Sequence, residues 1–420
     1  MADTFGALLR EFRTAADISM GALAKRINYS KGQISKIEND LKRPSAVFAR
    51  LCDQVLGTGG ALSAAITQPP AEMPDEPPAP DDEGWVMELD ETGGVRVREL
   101  PRRSVLAGAG AVLGLALTGT RGGAVDEGAF AVLRSTFDQH RTLGTMASPH
   151  VVLAPVIAHL HALRSLAAAS PEPMRTNLFL LASRVAEYAG WMSQEAGDEA
   201  GALRWTDRAV AYAAAGRDPH LASFALVRRA EISLYQHDAI RTVELARRAQ
   251  DNPHAGPRIL GLAARCEAQG RALAGDIAGY ERALERAAEL LATRDNDSGP
   301  VLGSTTVPDE VSLARGWALY DLGRPGEAAD ILDREVAAIP RAARRARARF
   351  GTRRALAHAV NGEIDEACVV ARGVIDDAAR VDSATIRLDL RELDRTLSRW
   401  RTHGAVRDLH PDLIATLHRR

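Results

Sequence analysis

The sequence predicts an all-α protein that consists of a small N-terminal helical domain, a linker and a long array of repeated helical hairpins. Three observations support this prediction. Apolar residues recur at helical spacing through most of the 420 residues, a stretch rich in proline and acid follows residue 68, and five similar segments succeed one another in the second half. A chain of this length exceeds one ordinary domain. We therefore expect four segments, 1–68, 69–100, 101–125 and 126–420.

The first segment predicts four or five short helices around one apolar core. The residues at helical spacing are Phe5, Leu8, Leu9 and Phe12 in a first helix, Leu23, Ala24 and Ile27 in a second, Ile34 and Ile37 in a third, and Val47, Phe48, Leu51, Val55 and Leu56 in a fourth. Leu62 to Ile66 adds a candidate fifth helix. The run from Gly57 to Gly60 breaks the chain before it.

The second and third helices form the arrangement known as a helix-turn-helix. Asn28, Tyr29 and Ser30 separate them, and the Ser30 hydroxyl is placed to cap the third helix. With Ile34 and Ile37 turned inward, the outward positions of that helix are Lys31, Gly32, Gln33, Ser35 and Lys36. A helix fits the major groove of DNA, where Gln, Ser and Lys can hydrogen-bond base edges, and Lys42 and Arg43 can reach phosphates. The pattern predicts binding to double-stranded DNA, with a DNA-inactive relic of such a domain as the alternative.

This stretch also resembles the Xre or lambda-repressor-like helix-turn-helix family over roughly Phe5 to Leu56. The matching positions are Leu23-Ala24, Ser30, Ile34-Ser35, Ile37-Glu38 and Arg43-Pro44. The resemblance implies that Lys31, Gly32, Gln33 and Lys36 read bases, with Ser35 beside them. Met20 stands where the family often has a phosphate-binding Gln. Asp40 replaces a usual Gly, and Asp tolerates a left-handed turn better than most residues.

Charge is distributed unevenly along the chain. Residues 1–68 hold nine Lys and Arg against six Asp and Glu, whereas residues 69–100 hold two against ten. All four lysines, Lys25, Lys31, Lys36 and Lys42, lie in the helix-turn-helix region. The positive excess of the first domain is small, so one copy is expected to bind DNA weakly and in a salt-sensitive way. A homodimer on a two-part site is therefore expected.

Residues 69–125 contain two unusual stretches. The prolines and acidic residues of 69–100 predict an extended linker, because such a composition cannot bury enough apolar surface to fold; competition of the acidic run with DNA is an alternative. Arg102 and Arg103 precede the apolar run Val105 to Leu117, which imitates an export signal but lies far from the N-terminus. At 13 residues the run is short for a membrane span, so a packed helix is expected, with membrane association as the alternative.

No catalytic or metal-binding pattern is recognisable. Cys52, Cys266 and Cys368 are far apart, which predicts neither a disulfide framework nor a metal site and fits a reducing cytoplasm. His159 and His161 fall on opposite sides of one predicted helix, so they are expected as surface histidines or hydrogen-bonded core histidines. The sequence lacks a phosphate-binding loop and the other catalytic motifs considered. We expect no cofactor and no enzymatic activity.

Five turn positions reveal an internal repeat. Gly197, His237, Gly275, Gly323 and Gly362 are spaced by 38 to 48 residues. Seven residues before each stands a small residue, in turn Gly190, Ala230, Ala268, Gly316 and Ala355. Small residues let two helices approach closely, and the turn residue reverses the chain between them. Residues 126–420 are therefore predicted to form stacked helical hairpins.

The repeats resemble the tetratricopeptide repeat family, most closely at Gly190, Gly197, Ala202 and Ala209. His237 in place of the turn Gly and Tyr280 in place of a small residue depart from that pattern. The resemblance implies an α-solenoid with a concave groove that binds a peptide or a protein. Arg341, Arg345, Arg349 and Arg353 belong to a basic band that either forms a solvated helix face or lines this groove as an anion-binding wall.

The combination resembles actinobacterial, Streptomyces-like regulators that join an Xre-like domain to tetratricopeptide-like repeats. This resemblance implies a cytoplasmic, sequence-specific transcriptional regulator whose DNA affinity responds to a peptide or protein bound in the groove. A second hypothesis is a scaffold in which the repeats recruit a protein and the N-terminal domain only tethers it to DNA.

Overall fold

A computed structural model describes most of the chain. The described residues are 4–42, 44–66, 83–89, 95–101, 125–252, 255–293, 302–303 and 306–418. Arg43 and the apolar run 105–117 lie outside them. Contacts group the chain into two units, Met1–Ala71 with Leu226–Arg420, and Glu72–Ala225.

The N-terminal domain begins the first unit and consists of short, well-capped helices. They are α1 (Phe5–Ala15), α2 (Met20–Arg26), α3 (Lys31–Glu38), α4 (Ala46–Leu56) and α5 (Ala61–Ala64). A Ser or Thr side chain, in turn Thr4, Ser19, Ser30 and Ser45, accepts a backbone N–H at the start of each of the first four helices. These caps satisfy donors that the helix itself leaves unpaired. Gly57 ends α4 in a left-handed conformation, with φ of 64°.

The core of this domain is the one that the apolar spacing predicts. Leu9, Leu23, Ile34 and Phe48 are fully buried, and Ile27 and Ile37 are nearly so. Cys52 is also buried, and all three cysteines of the chain are free thiols.

A two-stranded antiparallel hairpin, β1 (Glu83–Leu89) and β2 (Val95–Pro101), is the only strand structure among the described residues. Glu83 pairs with Pro101 at one end and Leu89 with Val95 at the other. The hairpin falls mainly within 69–100, where the sequence predicts an extended linker, so that prediction is wrong for these strands. The alternation Val95-Arg96-Val97-Arg98 favours a strand locally. The proline-rich composition of the whole segment predicted a linker instead of this strand.

The second unit also contains α6 (Glu127–Gly144), α7 (Pro149–Ala169), α8 (Met174–Ala196) and α9 (Glu199–Ala215). By length and composition, α7 is apolar enough to cross a membrane, a test that the core helix of a soluble protein also passes. Val152, Val156, Leu160 and Leu163 are buried along one side of it. We therefore describe α7 as a core helix. Across the hairpin of α8 and α9, a Cβ on Gly190 would lie 3.2 Å from the carbonyl oxygen of Ala202, so the two helices approach closely.

The rest of the first unit is a succession of helices that pack against their neighbours. They are α10 (Leu221–Tyr235), whose first five residues are grouped with the second unit, α11 (Ala239–Gln250), α12 (Pro257–Leu273), α13 (Ile277–Ala292), α14 (Glu310–Asp321), α15 (Pro325–Ala338), α16 (Arg344–Asn361), α17 (Ile364–Val381), α18 (Ala384–Leu397) and α19 (Gly404–Leu417). A short 3₁₀ helix, Ser398–Trp400, follows α18. Contacts join α12 to α14, α14 to α16 and α16 to α18, besides those within each hairpin. The helices α11 to α19 thus form a stack that is consistent with a solenoid, here called the array.

The turn positions of the repeat lie where the sequence predicts them. Gly197 reverses the chain between α8 and α9, and His237, Gly275, Gly323 and Gly362 do so in the hairpins from α10 to α17. All five have positive φ, between 59° and 90°. The small residues seven positions earlier are buried. At Gly316, for example, a Cβ would come within 2.9 Å of Leu332, so the small residue sets the helix separation.

Candidate nucleic-acid interface

The start of α3 is fixed by reciprocal hydrogen bonds. The backbone N–H of Gln33 donates to the Ser30 hydroxyl at 3.2 Å, and the Gln33 side-chain oxygen accepts from the backbone N–H of Ser30 at 3.3 Å. This is a capping box, in which each residue satisfies a donor of the other. The Gln33 side chain therefore already has a structural role at the position that the sequence predicts to read bases.

The outward side of α3 is exposed and cationic. Ile34 and Ile37 face the core, whereas Lys31, Gly32 and Lys36 are exposed. No described atom lies within 4 Å of where a Cβ on Gly32 would be. Ser35, between these positions, is half-buried. The helix thus presents two ammonium groups on an open surface with room for close approach of another molecule.

A buried ion pair secures the end of α3 to α1. The Glu38 carboxylate accepts from Arg13 through both oxygens, at 2.6 and 3.1 Å, and Arg10 approaches it at 3.5 Å. The Glu38 side chain is only 2% exposed. Its hydrogen bond raises the pKa of Arg13 above the usual value. The paired charges hold α3 at a defined angle to α1, and the sequence analysis did not anticipate this contact.

The chain leaves α3 through a left-handed turn at Asp40. Its φ is 56°, and its carboxylate accepts from Thr4 at 2.6 Å and from the backbone N–H of Gly6 at 3.2 Å. A Cβ on Gly6 would lie 2.6 Å from the Ile37 carbonyl oxygen, so only Gly fits there. The expectation that Asp is compatible with this turn is confirmed. Lys42, two residues beyond, is exposed, as a phosphate contact requires.

This arrangement suits the major groove of DNA. An α-helix fits a groove about 12 Å wide, and Lys31 and Lys36 can reach base edges or phosphates from it. The cap and the ion pair hold the helix without using either lysine. Of the predicted DNA-binding residues, the structure brings Ser30, Lys31, Gly32, Gln33, Ser35 and Lys36 together on α3 and its cap, with Lys42 just beyond.

The Ser30 cap is expected to contribute measurably to the order of α3. Ser30→Ala removes one side of the capping box and should destabilise the helix by about 1 kcal/mol. Hydrogen exchange of the α3 amides measures this as roughly fivefold faster opening. Ser35→Ala is the matched control because it lies inside the same helix, where Ala is favourable. Equal effects of the two substitutions would contradict the role of the cap.

The predicted arginine band on the array is largely engaged in internal contacts. Arg345 is buried and donates to the Val381 carbonyl at 3.5 Å, and Arg353 is buried beside Asp389 at 3.0 Å. Arg349 donates to Thr385 at 3.0 Å. These contacts join α16 to the end of α17 and to α18, which corrects both the solvated-face interpretation and the open anion-binding wall at these positions. Arg341 is exposed.

Aromatic rings accompany these arginines. The Arg353 guanidinium lies 3.1 Å from the centre of the Trp317 ring, and Arg349 lies 5.8 Å from that of Tyr235. Stacking of this kind favours Arg over Lys, which fits a chain whose lysines are confined to its first domain. Among the residues that the structure describes, no group of three or more His, Cys, Asp or Glu could hold a metal ion.

The comparisons with known proteins agree with the site at the N-terminus. No curated protein and no solved structure matches the chain. Residues 4–66 match a family model described as a helix-turn-helix domain, so the N-terminal segment of this chain is a helix-turn-helix domain.

Proposed function

We propose that this protein is a sequence-specific transcriptional regulator that binds double-stranded DNA through α3. The observation that carries the proposal is the exposed surface of Lys31, Gly32 and Lys36 on a helix whose other side is fixed by its cap and by the Glu38 ion pair. A prearranged helix binds DNA without the entropic cost of ordering it first. The similarity to Xre-type regulators supports the same function.

In this proposal the protein is cytoplasmic and not an enzyme, and it binds DNA as a homodimer. The small positive charge of residues 1–68 supports dimerisation, since two domains on two half-sites double the number of phosphate contacts. The array, which resembles tetratricopeptide repeats, would bind a peptide or protein that modulates the affinity for DNA. The stack of hairpins from α12 to α18 supports such a role because repeat stacks offer extended binding surfaces.

Selection from a random DNA library with the full-length protein tests this function. We expect a two-part motif with half-sites about 34–36 Å apart, or a multiple of that distance. Lys31→Ala with Lys36→Ala should weaken binding to the motif at least tenfold, since each well-placed base contact contributes about 1–3 kcal/mol. Lys25→Ala, an exposed lysine of α2, is the matched control. Failure to recover a motif would favour the scaffold hypothesis.

A further inference from the structure

The helix-turn-helix domain contacts the tips of three successive hairpins of the array. A Cβ on Gly60 would lie 1.8 Å from the Ala274 carbonyl oxygen, next to the tip residue Gly275. A Cβ on Gly323 would lie 2.9 Å from the Arg50 carbonyl oxygen, and one on Gly362 would lie 3.2 Å from the Asn28 amide nitrogen. The glycines at these tips therefore let the backbones of the array and of the domain approach closely, and the three tips are here called the docking surface.

The contact at Gly362 involves the turn that precedes α3. The Asn28 side chain donates to the Val360 carbonyl at 3.2 Å. The Val360 side chain is 3% exposed and belongs to the apolar core of the helix-turn-helix domain. The end of α16 therefore packs against the helix-turn-helix domain at Asn28. Asn28 lies two residues before Ser30, which caps α3.

Arg399 covers the same turn from the 3₁₀ helix. Its guanidinium lies 4.2 Å from the centre of the Tyr29 ring and 4.6 Å from that of Trp400, and it donates to the Asn28 carbonyl at 3.4 Å. Burial lowers the pKa of Arg399 and raises that of Tyr29. The array therefore contacts the docked turn at two places, Val360 and Arg399.

A third contact joins α4 to α14, and it is an imperfect one. Arg50 and Asp321 are 5% and 4% exposed, yet their closest approach is 3.5 Å. The Arg50 Nε and Nη1 atoms and the Tyr320 hydroxyl have no hydrogen-bond partner among the described residues. A buried donor without a partner is destabilising, because it loses its hydrogen bonds to water and gains none within the protein. The contact between Arg50 and Asp321 therefore holds the docked state less firmly than a fully hydrogen-bonded pair would.

A pocket of the array lies beside the Gly362 tip, and several of its carboxylates pair with Arg354 or His358. Glu363 follows Gly362 directly, and Asp333 and Glu366 line the same pocket, together with Gly326, Asp330, His358 and Asn361. A duplex on α3 would bring its phosphates within roughly 6 Å of the helix on either side, half the width of the major groove. Because Ser30 is only two residues from Asn28, those phosphates would approach the array at the hairpin tip that contacts this turn.

We propose that the array and DNA compete for the helix-turn-helix domain. In the docked state, the array holds the Asn28-Tyr29 turn and opposes entry of a duplex, and release of the Arg50 and Arg399 contacts increases the affinity for DNA. A ligand that binds the array and favours release would then activate DNA binding. The inference rests on the proposed function, since it presupposes that α3 binds DNA.

The test uses the full-length double variant Asp321→Asn, Arg399→Ala, which changes only array residues. Its matched control, Glu310→Gln with Arg407→Ala, removes a carboxylate that pairs with Arg258 and Arg265 and an exposed arginine elsewhere in the array. Hydrogen exchange of 24–30 and 46–56 measures docking. Fluorescence anisotropy with the selected duplex, at one fixed salt concentration, measures affinity.

We expect faster exchange in both peptides and at least tenfold tighter DNA binding by the double variant, with no change in the control. Faster exchange with unchanged or weaker DNA binding would overturn the competition. Unchanged exchange would overturn it too, because these contacts would then not hold the domain. If the double variant loses docking and still no variant binds any duplex, the result would instead contradict the proposed function. If the double variant does not fold, Arg399→Ala alone gives the same test at a half-exposed position.

Discussion

Replacing Glu38 with Gln should destabilise the helix-turn-helix domain by about 3 kcal/mol, since removing one partner of a buried ion pair leaves the other charge uncompensated. The amide that replaces the carboxylate has one oxygen that can still accept from the Arg13 guanidinium, whereas its NH2 group opposes the second of the two bonds, and the negative charge is gone. Arg13 also donates to the Ile18 carbonyl at 3.0 Å, so the substitution would disturb the turn before α2 as well.

Hydrogen exchange of the α1 and α3 amides is the appropriate measurement, because the chain contains several folded parts and need not unfold in one step. A loss of about 3 kcal/mol corresponds to opening roughly a hundredfold more often. Glu11→Gln, at an exposed site of α1, is the matched control.

A second variant separates charge from packing. Arg13→Met combined with Glu38→Leu replaces both partners by apolar side chains, and such replacements are often neutral. We therefore expect this double variant to recover most of the stability that Glu38→Gln loses. A change below about 1 kcal/mol in Glu38→Gln would contradict the assigned role of the pair.

Acidification should selectively weaken the second unit through His159. This side chain is 7% exposed, its two ring nitrogens have no partner among the described residues, and its ring lies 5.4 Å from that of His140. Burial, with a smaller contribution from His140, lowers the pKa of His159 to about 4. Burial also lowers the pKa of His140.

The sign of the effect follows from the two states. The unfolded His159 binds a proton near its ordinary pKa of about 6.5, whereas the folded one remains neutral until about pH 4. The stability that neutral His159 contributes is therefore fully present above pH 6.5 and is lost as the pH falls toward 4. At pH 5 the expected loss is about 2 kcal/mol, roughly thirtyfold in the opening equilibrium.

His159→Phe should remove the part of this dependence that comes from His159, while His140 and His161, whose pKa values burial also lowers, keep theirs. Hydrogen exchange measures the opening free energy of α7. Between pH 7.5 and pH 5, this free energy should fall by about 2 kcal/mol less in the variant than in the wild type. His150→Phe, an exposed position on the same helix, should not change the dependence. Equal pH dependence in His159→Phe and the wild type would exclude His159 as the responsible group.

Local features of the fold could be predicted from the sequence because they depend on neighbouring residues. The Ser30 cap, the inward Ile34 and Ile37, and the left-handed turns at Gly275 and Gly362 all follow from spacing within a few residues. The sequence did not predict the strands at 83–89 and 95–101, because prolines and acidic residues dominate the composition around them.

Long-range contacts could not be predicted in this way. Asn28 and Val360 are separated by 332 positions, and no local pattern relates them. Arg353 belongs to a basic run that reads as a solvated face or a binding wall, and only its contacts with Asp389 and Trp317 identify it as an internal residue. For His159, a core position was one of the two expected alternatives, but nothing in the sequence predicted that its ring nitrogens would lack a partner.

The docking surface restricts how this protein can evolve. A repeat array ordinarily gains or loses hairpins easily, since each one contacts only its neighbours. Here the tips at Gly275, Gly323 and Gly362 match Gly60, Arg50 and Asn28 in one small domain. A hairpin duplicated or deleted between the first and last of these tips would shift the remaining ones out of register with that domain. The number of repeats in this part of the chain is therefore fixed by the domain that rests on it, and the contact of Arg399 with Tyr29 extends the same constraint beyond Gly362 to the 3₁₀ helix.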